Sequence, residues 1–358
     1  MAPPGAPSSS PADDPADDPA GTGAPRLHVV SGKGGTGKTT LAVALAIALA
    51  DAGRRVLLCE VEGRQGLSRL LGTAELPYEE VEVAEGAGGG QVVGLAVEPR
   101  AALLDYLDTF HGGVLGGRGR GGRASTVLDR AGAVDVIATV APGLRDVLLI
   151  GKVYEAVLRT TTSRGGSSAT GTPVYDAVVL DAPPTGRVTR FLGIGAELAQ
   201  LAGGGPIAGR AASVAALLSS PQTAVHLVSL LEELPVTETA EAAAELRAAG
   251  LPLGTVVANR ELAGSSAPQQ VPDDDVARAL GTALGTDPGE EDDLVAALVA
   301  QNRTRTAQVG EQERWRAELA ALGRPVRSLP DLPGGVDLDG LYRLADHLVA
   351  SPLLGSTR

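Results

Sequence analysis

At 358 residues the chain has room for one large α/β domain or two ordinary ones, and its 44% apolar content is enough to bury a sizeable core. Aromatic residues make up only 2%, so that core must be built from Ala, Val and Leu, while 48 glycines and 24 prolines imply many loops. The net charge of −13 argues against a general nucleic-acid surface, the single Cys59 excludes an intrachain disulfide and a Cys-rich metal centre, and no apolar run approaches the roughly eighteen residues of a membrane span.

Met1 to Ala24 is Pro, Ala, Ser and Asp, with no basic block and no apolar one. It reads as a disordered tail rather than a secretory signal, and the protein as soluble and cytoplasmic. From Arg26 onward strand and helix patterns alternate, the signature of a parallel sheet. Leu27 to Val30 is a short apolar run, and Leu41 to Ala50 reads as a helix. Between them, Gly32, Gly37, Lys38 and Thr39 satisfy the phosphate-binding spacing G-x-x-x-x-G-K-[ST]. Glycines let backbone N–H groups converge on phosphate oxygens, and the helix N-terminus adds partial positive charge there. The loop residues Gly32, Lys33, Gly34, Gly35, Thr36, Gly37, Lys38, Thr39 and Thr40 are therefore the expected phosphate cradle. Lys38 is expected to reach the β/γ-phosphates and Thr39 to hold Mg²⁺.

Arg55 to Cys59 reads as the second strand, and it runs into Glu60-Val61-Glu62-Gly63-Arg64-Gln65-Gly66. Two carboxylates thus emerge at the carboxyl end of a strand, where open sheets place their sites. Gln91 to Val97 is a further strand. Residues 101–160 look mainly helical, interrupted by a Gly- and Arg-rich run from Gly112 to Arg123 that lacks interleaved aromatics and reads as a flexible loop. Val134 to Thr139 has the pattern of a short strand, and Thr160 to Gly171 that of a polar loop.

Tyr175 to Leu180 is an apolar strand ending in Asp181, a carboxylate placed as a Mg²⁺ site requires. It continues as Ala182-Pro183-Pro184-Thr185-Gly186, a segment able to approach a terminal phosphate by backbone and to change shape when that phosphate leaves. Arg187 to Ser220 is mostly helical with a break at Gly203 to Pro206. Ala224 to Leu230 and Leu253 to Ala258 are strands, separated by a helix opened by Thr237, and the later strand ends in Asn259-Arg260. His226 lies within an apolar strand and reads as a core residue. His28, His111 and His347 lack metal-ligand spacing, so no zinc is expected. The acidic stretch from Gly264 to Asp293 reads as loop and short helices, Glu311 to Leu322 as an exposed helix, Pro325 to Leu329 as a last strand and Leu338 to Val349 as a closing helix.

Lys33-Gly34-Gly35-Thr36-Gly37-Lys38-Thr39 carries a second lysine inside the loop. It resembles the signature-lysine (deviant Walker A) loop of dimeric ATPases related to the septum-placing, plasmid-partitioning and arsenite-pump ATPases. Asp181-Ala-Pro-Pro-Thr-Gly-Arg-Val-Thr-Arg190 resembles the D-T-A-P-T-G-H-x-x-R switch of the arsenite-pump (ArsA) family, which includes the tail-anchored-protein targeting ATPases. Pro235 to Arg260 and Ser328-Leu-Pro-Asp-Leu-Pro333 are similar to further segments of that family. The resemblance covers about 26–350. It implies an α/β P-loop NTPase with a mostly parallel, doubly wound sheet, organised as one domain over 25–352 with a helical insert near 99–160 and 187–220 and a tail at 353–358.

The resemblance further implies an ATPase that binds ATP and Mg²⁺, energising anion transport or handling a client protein, with a possible membrane-protein partner; composition and charge add the expectation of a cytoplasmic protein that binds no nucleic acid. It implies that Lys33 acts across a dimer, that Thr39 and Asp181 hold the metal, that Pro184 and Gly186 face the nucleotide, and that Asn259 recognises adenine. The partner would be a second copy or a paralogous ATPase. Alignment of the second strand places Glu62 where the family's D-P-A aspartate positions water, with Glu60 two residues earlier. The chain departs from the family in Arg187 for His and in lacking the Cys-x-x-Cys clamp, the metalloid cysteines and a Met-rich groove, Met1 being the only methionine. Two alternatives remain at this point: an ATP-binding regulatory subunit with little activity alone, and a P-loop kinase or ligase.

Overall fold

The computed structural model describes residues 24–61, 63, 65–111, 142–161, 171–201, 206–262, 271–285 and 293–349. Glu62, Arg64, the Gly/Arg-rich run, the strand expected at 134–139, most of the loop expected at 160–171 and the bulk of both tails lie outside them. In chain order the elements are β1 (Leu27–Gly32), α1 (Lys38–Asp51), β2 (Arg55–Val61), α2 (Gly66–Leu71), β3 (Val81–Glu85), β4 (Gln91–Val97) and α3 (Pro99–His111). There follow α4 (Pro142–Leu158), β5 (Ala177–Asp181), α5 (Thr185–Leu201), α6 (Pro206–Leu218), β6 (Thr223–Leu230), α7 (Glu233–Ala248) and β7 (Leu253–Glu261). The described chain closes with α8 (Asp273–Leu284), α9 (Asp293–Ala320), β8 (Val326–Pro330) and α10 (Leu338–Val349).

The eight strands form one sheet in the order β3-β4-β2-β5-β1-β6-β7-β8. Every pairing is parallel except β3 with β4. β1 lies in the interior between β5 and β6, so it is covered on both faces and reads as an unbroken apolar run. Crossovers leave it in both directions, which makes its carboxyl end the place where an open sheet leaves a crevice.

Helices cover both faces. α4, α5, α6 and α7 pack on one side against Leu27, Val29, Leu57, Val178 and Val225. α1, α2 and α10 pack on the other against Val30, Leu58, Val179 and Val257. α1 is buried at every position from Leu41 to Ala50 because it is held between the sheet and α10; an apolar circumference is what such a helix needs. Its many alanines allow that close approach.

Several boundaries differ from those the pattern suggests. β3 is an additional strand: an edge strand paired on one side only, it leaves Val81 exposed and carries too weak an apolar signal to stand out. α2 is too short to show a period. α7 opens at Glu233 rather than Thr237, with Pro235 in its first turn, where the missing N–H breaks no intrahelical bond. α9 is continuous over 28 residues, starting well before Glu311; its first half buries no residue and so lacks a core-facing stripe.

Candidate functional site

The loop from Gly32 to Lys38 leaves the end of β1 and turns directly into α1. Its glycines answer to specific neighbours. A Cβ on Gly32 would lie 2.3 Å from the carbonyl oxygen of Val228 on β6 and 2.9 Å from Thr36 Oγ1. Gly35 and Gly37 have φ of +87° and +97°, the left-handed region that glycine occupies without strain. The loop is braced from inside: the buried Thr36 hydroxyl donates to the Lys33 carbonyl at 2.8 Å, and Lys38 Nζ donates to the same oxygen at 3.1 Å. No side chain caps α1 at Gly37, so the first-turn N–H groups, including those of Thr39 and Thr40, are left as a site of partial positive charge. Around Gly34 there is open space.

Two strands bring carboxylates to this end of the sheet. Thr39 Oγ1 donates to Asp181 Oδ2 at 2.7 Å, and Asp181 is only 4% exposed. A hydroxyl and a carboxylate beside a phosphate cradle are the hard oxygen donors that Mg²⁺ takes, so the residues present fit that ion. Glu60 stands opposite Asp181 in the β2–β5 register. Its Oε1 accepts from the Gly66 N–H at 2.8 Å and its Oε2 from the Leu67 N–H at 3.1 Å, so both oxygens serve the start of α2. Glu62, the alternative carboxylate, lies outside the described residues.

Lys33 takes a different direction from Lys38. Its ammonium makes a 2.8 Å ion pair with Glu238 on α7, with both side chains about one-third exposed. Glu238 is 205 residues away in sequence, and no spacing rule links the two.

Pro183 and Pro184 follow Asp181, with the Ser31 hydroxyl donating to the Pro183 carbonyl at 2.7 Å. α5 already begins at Thr185, and the N–H groups of Arg187 and Val188 donate to the Pro184 carbonyl. The segment expected to be a deformable loop is thus helical from Thr185, with Gly186 exposed in the first turn. Asn259, at the end of β7, faces the phosphate loop: its Nδ2 donates to the Thr36 carbonyl at 2.8 Å.

His226 is a core residue, stacked on His28 with ring centroids 5.4 Å apart. The Thr255 N–H donates to His226 Nδ1, so His226 carries its proton on Nε2 and donates it to His28 Nδ1 at 3.1 Å. Burial, joined by the neighbouring His226 and Arg54, pushes His28 down to about 3. Burial and then Arg324 push His226 down to about 4. Both imidazoles are therefore neutral structural groups below the site. Among the described residues no group of three or more His, Cys, Asp or Glu is arranged so that it could hold a metal ion. Nor is any helix among them long and apolar enough to cross a membrane.

A glycine-rich loop joining an interior parallel strand to an uncapped helix, with Lys38, Thr39 and a strand-end aspartate around it, defines a P-loop nucleotide-binding protein. The chain belongs to the CobQ/CobB/MinD/ParA nucleotide-binding domain family, which matches residues 27–351. It is 44% identical over 333 residues to the ATPase BagA of Mycobacterium tuberculosis, covering 90% of this chain and 92% of that protein. More distantly, it is 27% identical over 191 residues to the ATPase ARSA1 of Chlamydomonas reinhardtii, covering 46% of this chain and 22% of that one. It is 28% identical over 174 residues to the ATPase GET3 of Kluyveromyces lactis, covering 48% and 46%. The protein is an ATPase of the ParA/MinD/ArsA type.

Proposed function

We propose that the chain is an ArsA-like, Mg²⁺-dependent dimeric nucleotide switch, in which each subunit completes the other's site. The observation that supports this best is the separation of the two loop lysines. Lys38 stays with the loop through the Lys33 carbonyl, whereas the Lys33 ammonium is held outward by Glu238 on α7. Two cations held by different partners have different tasks. In this reading Lys38 and the N–H groups of Gly34 to Thr40 bind the β/γ-phosphates, and Thr39 and Asp181 hold Mg²⁺, which supplies neutralising charge. Glu62 orients the attacking water. Lys33 exchanges Glu238 for the phosphates of the partner's nucleotide, as an arginine finger does in trans.

Pro184 and Gly186 report the terminal phosphate to α5, and through it to α4 and α6, which pack on α5 and on each other. These helices, with α3, form the insert that would meet a client protein or membrane partner within the single domain 25–352. The partner subunit is a second copy or a paralogue, and the setting is cytoplasmic.

The test is mass by light scattering together with ATP turnover, with and without Mg·ATP, for the wild type, Lys38→Ala and Lys33→Ala. Wild type should dimerise with Mg·ATP. Lys38→Ala should lose turnover and nucleotide-dependent dimerisation, and Lys33→Ala should lose turnover while still binding ATP. Full turnover by Lys33→Ala would remove the trans role. The Lys33–Glu238 pair also favours a second reading, a regulatory subunit whose catalytic cation is withdrawn at rest. That reading requires negligible turnover alone and its recovery on adding a paralogue.

A further inference from the structure

Asn259 is more than nine-tenths buried at the end of β7, two strands away from β1. Its side chain reaches past β6 to the loop, where Nδ2 donates to the Thr36 carbonyl at 2.8 Å. Its Oδ1 accepts from the Arg260 N–H at 3.0 Å. Reversing the amide would set an oxygen against a carbonyl and an NH₂ against an N–H, so the two contacts define its orientation. Arg260 adopts a left-handed φ of +59°, and its guanidinium is tied to Asp331 at 3.0 Å. The amide is therefore held at both ends.

Its contact with Gly37 is equally close. A Cβ on Gly37 would sit 2.2 Å from Asn259 Nδ2, so the glycine is demanded by this neighbour as well as by its own φ of +97°. In a trans peptide the carbonyl of one residue and the N–H of the next point in opposite directions. No described peptide is cis. Holding the Thr36 carbonyl toward β7 therefore aims the Gly37 N–H away from β7.

We infer that Asn259 is a positioning residue for the phosphate loop: by gripping the Thr36 carbonyl it orients the Thr36–Gly37 peptide, and so contributes to binding any polyphosphate, with or without a base. The inference deepens the nucleotide-site reading above and rests on it. It differs from adenine recognition in one measurable respect: the contact it uses lies on the loop and is needed even when no base is present.

The experiment measures affinity of the full chain for Mg·ATP and for Mg·tripolyphosphate in wild type, Asn259→Ala, Asn259→Leu and Lys38→Ala. Losing the amide donor and leaving the Thr36 carbonyl without it should weaken both ligands by about five- to tenfold, with the ratio between them unchanged. Because each ratio is taken within one variant, a smaller folded fraction does not alter it, and Asn259→Leu retains the side-chain volume if Asn259→Ala folds poorly. Weaker ATP binding with tripolyphosphate binding intact would overturn the inference in favour of base recognition. Undiminished binding of both would overturn it outright. Lys38→Ala should weaken both ligands; if it weakens neither, the nucleotide-site reading itself fails, whatever Asn259 does.

Discussion

β2 and β5 are adjacent parallel strands that end in buried carboxylates at the same register, Glu60 beside Asp181. The two acids nevertheless have different surroundings. Glu60 receives two backbone N–H groups at the start of α2, which satisfy a buried charge and anchor the turn behind it. Asp181 receives a side-chain hydroxyl from the first turn of α1, the turn that follows the phosphate loop. One carboxylate is used by the architecture and the other is presented to the cradle. A strand-end acid is thus not a site by position alone; the group that closes on it decides.

The comparison breaks most visibly at Asp181. Asp181→Asn keeps an acceptor for Thr39 but loses the negative charge beside the phosphate loop and, with Asp181 holding Mg²⁺ as proposed, should lower ATP turnover by about a hundredfold or more. The circular dichroism spectrum should be unchanged; turnover close to wild type would place the metal carboxylate elsewhere. Glu60→Gln is the converse. It should cost about 1–2 kcal/mol in urea denaturation, since one backbone N–H loses a charged acceptor, with ATP affinity altered less than about twofold. Loss of turnover in Glu60→Gln at full stability would make Glu60, not Glu62, the group that orients water.

The smallest effect concerns the histidine pair further down the sheet, and it defines the pH range in which the carboxylates can be compared. Both imidazoles titrate below their ordinary 6.5 in the fold, so an unfolded chain takes up protons that the folded one does not. Their contribution is complete above about pH 6.5 and is lost as pH falls toward the folded values near 4 and 3. Urea midpoints should accordingly decline between pH 7 and 4.5. His226→Gln should lessen that slope, and a flat profile in wild type would mean that the pair is hydrated.

Much of this was legible beforehand because local chemistry leaves local marks. The spacing of Gly32, Gly37, Lys38 and Thr39 marks a phosphate loop, since few other sequences turn a buried strand into a helix that tightly. Asp181 is marked by the apolar strand before it. β3 and the first half of α9 were obscured by partial exposure, which blurs the apolar period. The helical start at Thr185 was hidden by Pro183-Pro184, which reads as a break although proline also precedes helices readily.

The sequence by itself determined the P-loop, the alternation of strands and helices and therefore the α/β class, because glycine conformational freedom and apolar periodicity act over a few residues. Tertiary structure alone decided that Lys33 is held by Glu238, that Glu60 anchors α2, and that Asn259 reaches across β6 to Thr36. These partners are brought together by strand order and helix packing rather than by spacing along the chain. A carboxylate or an amide takes its role from whichever donor or acceptor the fold carries to within hydrogen-bonding distance.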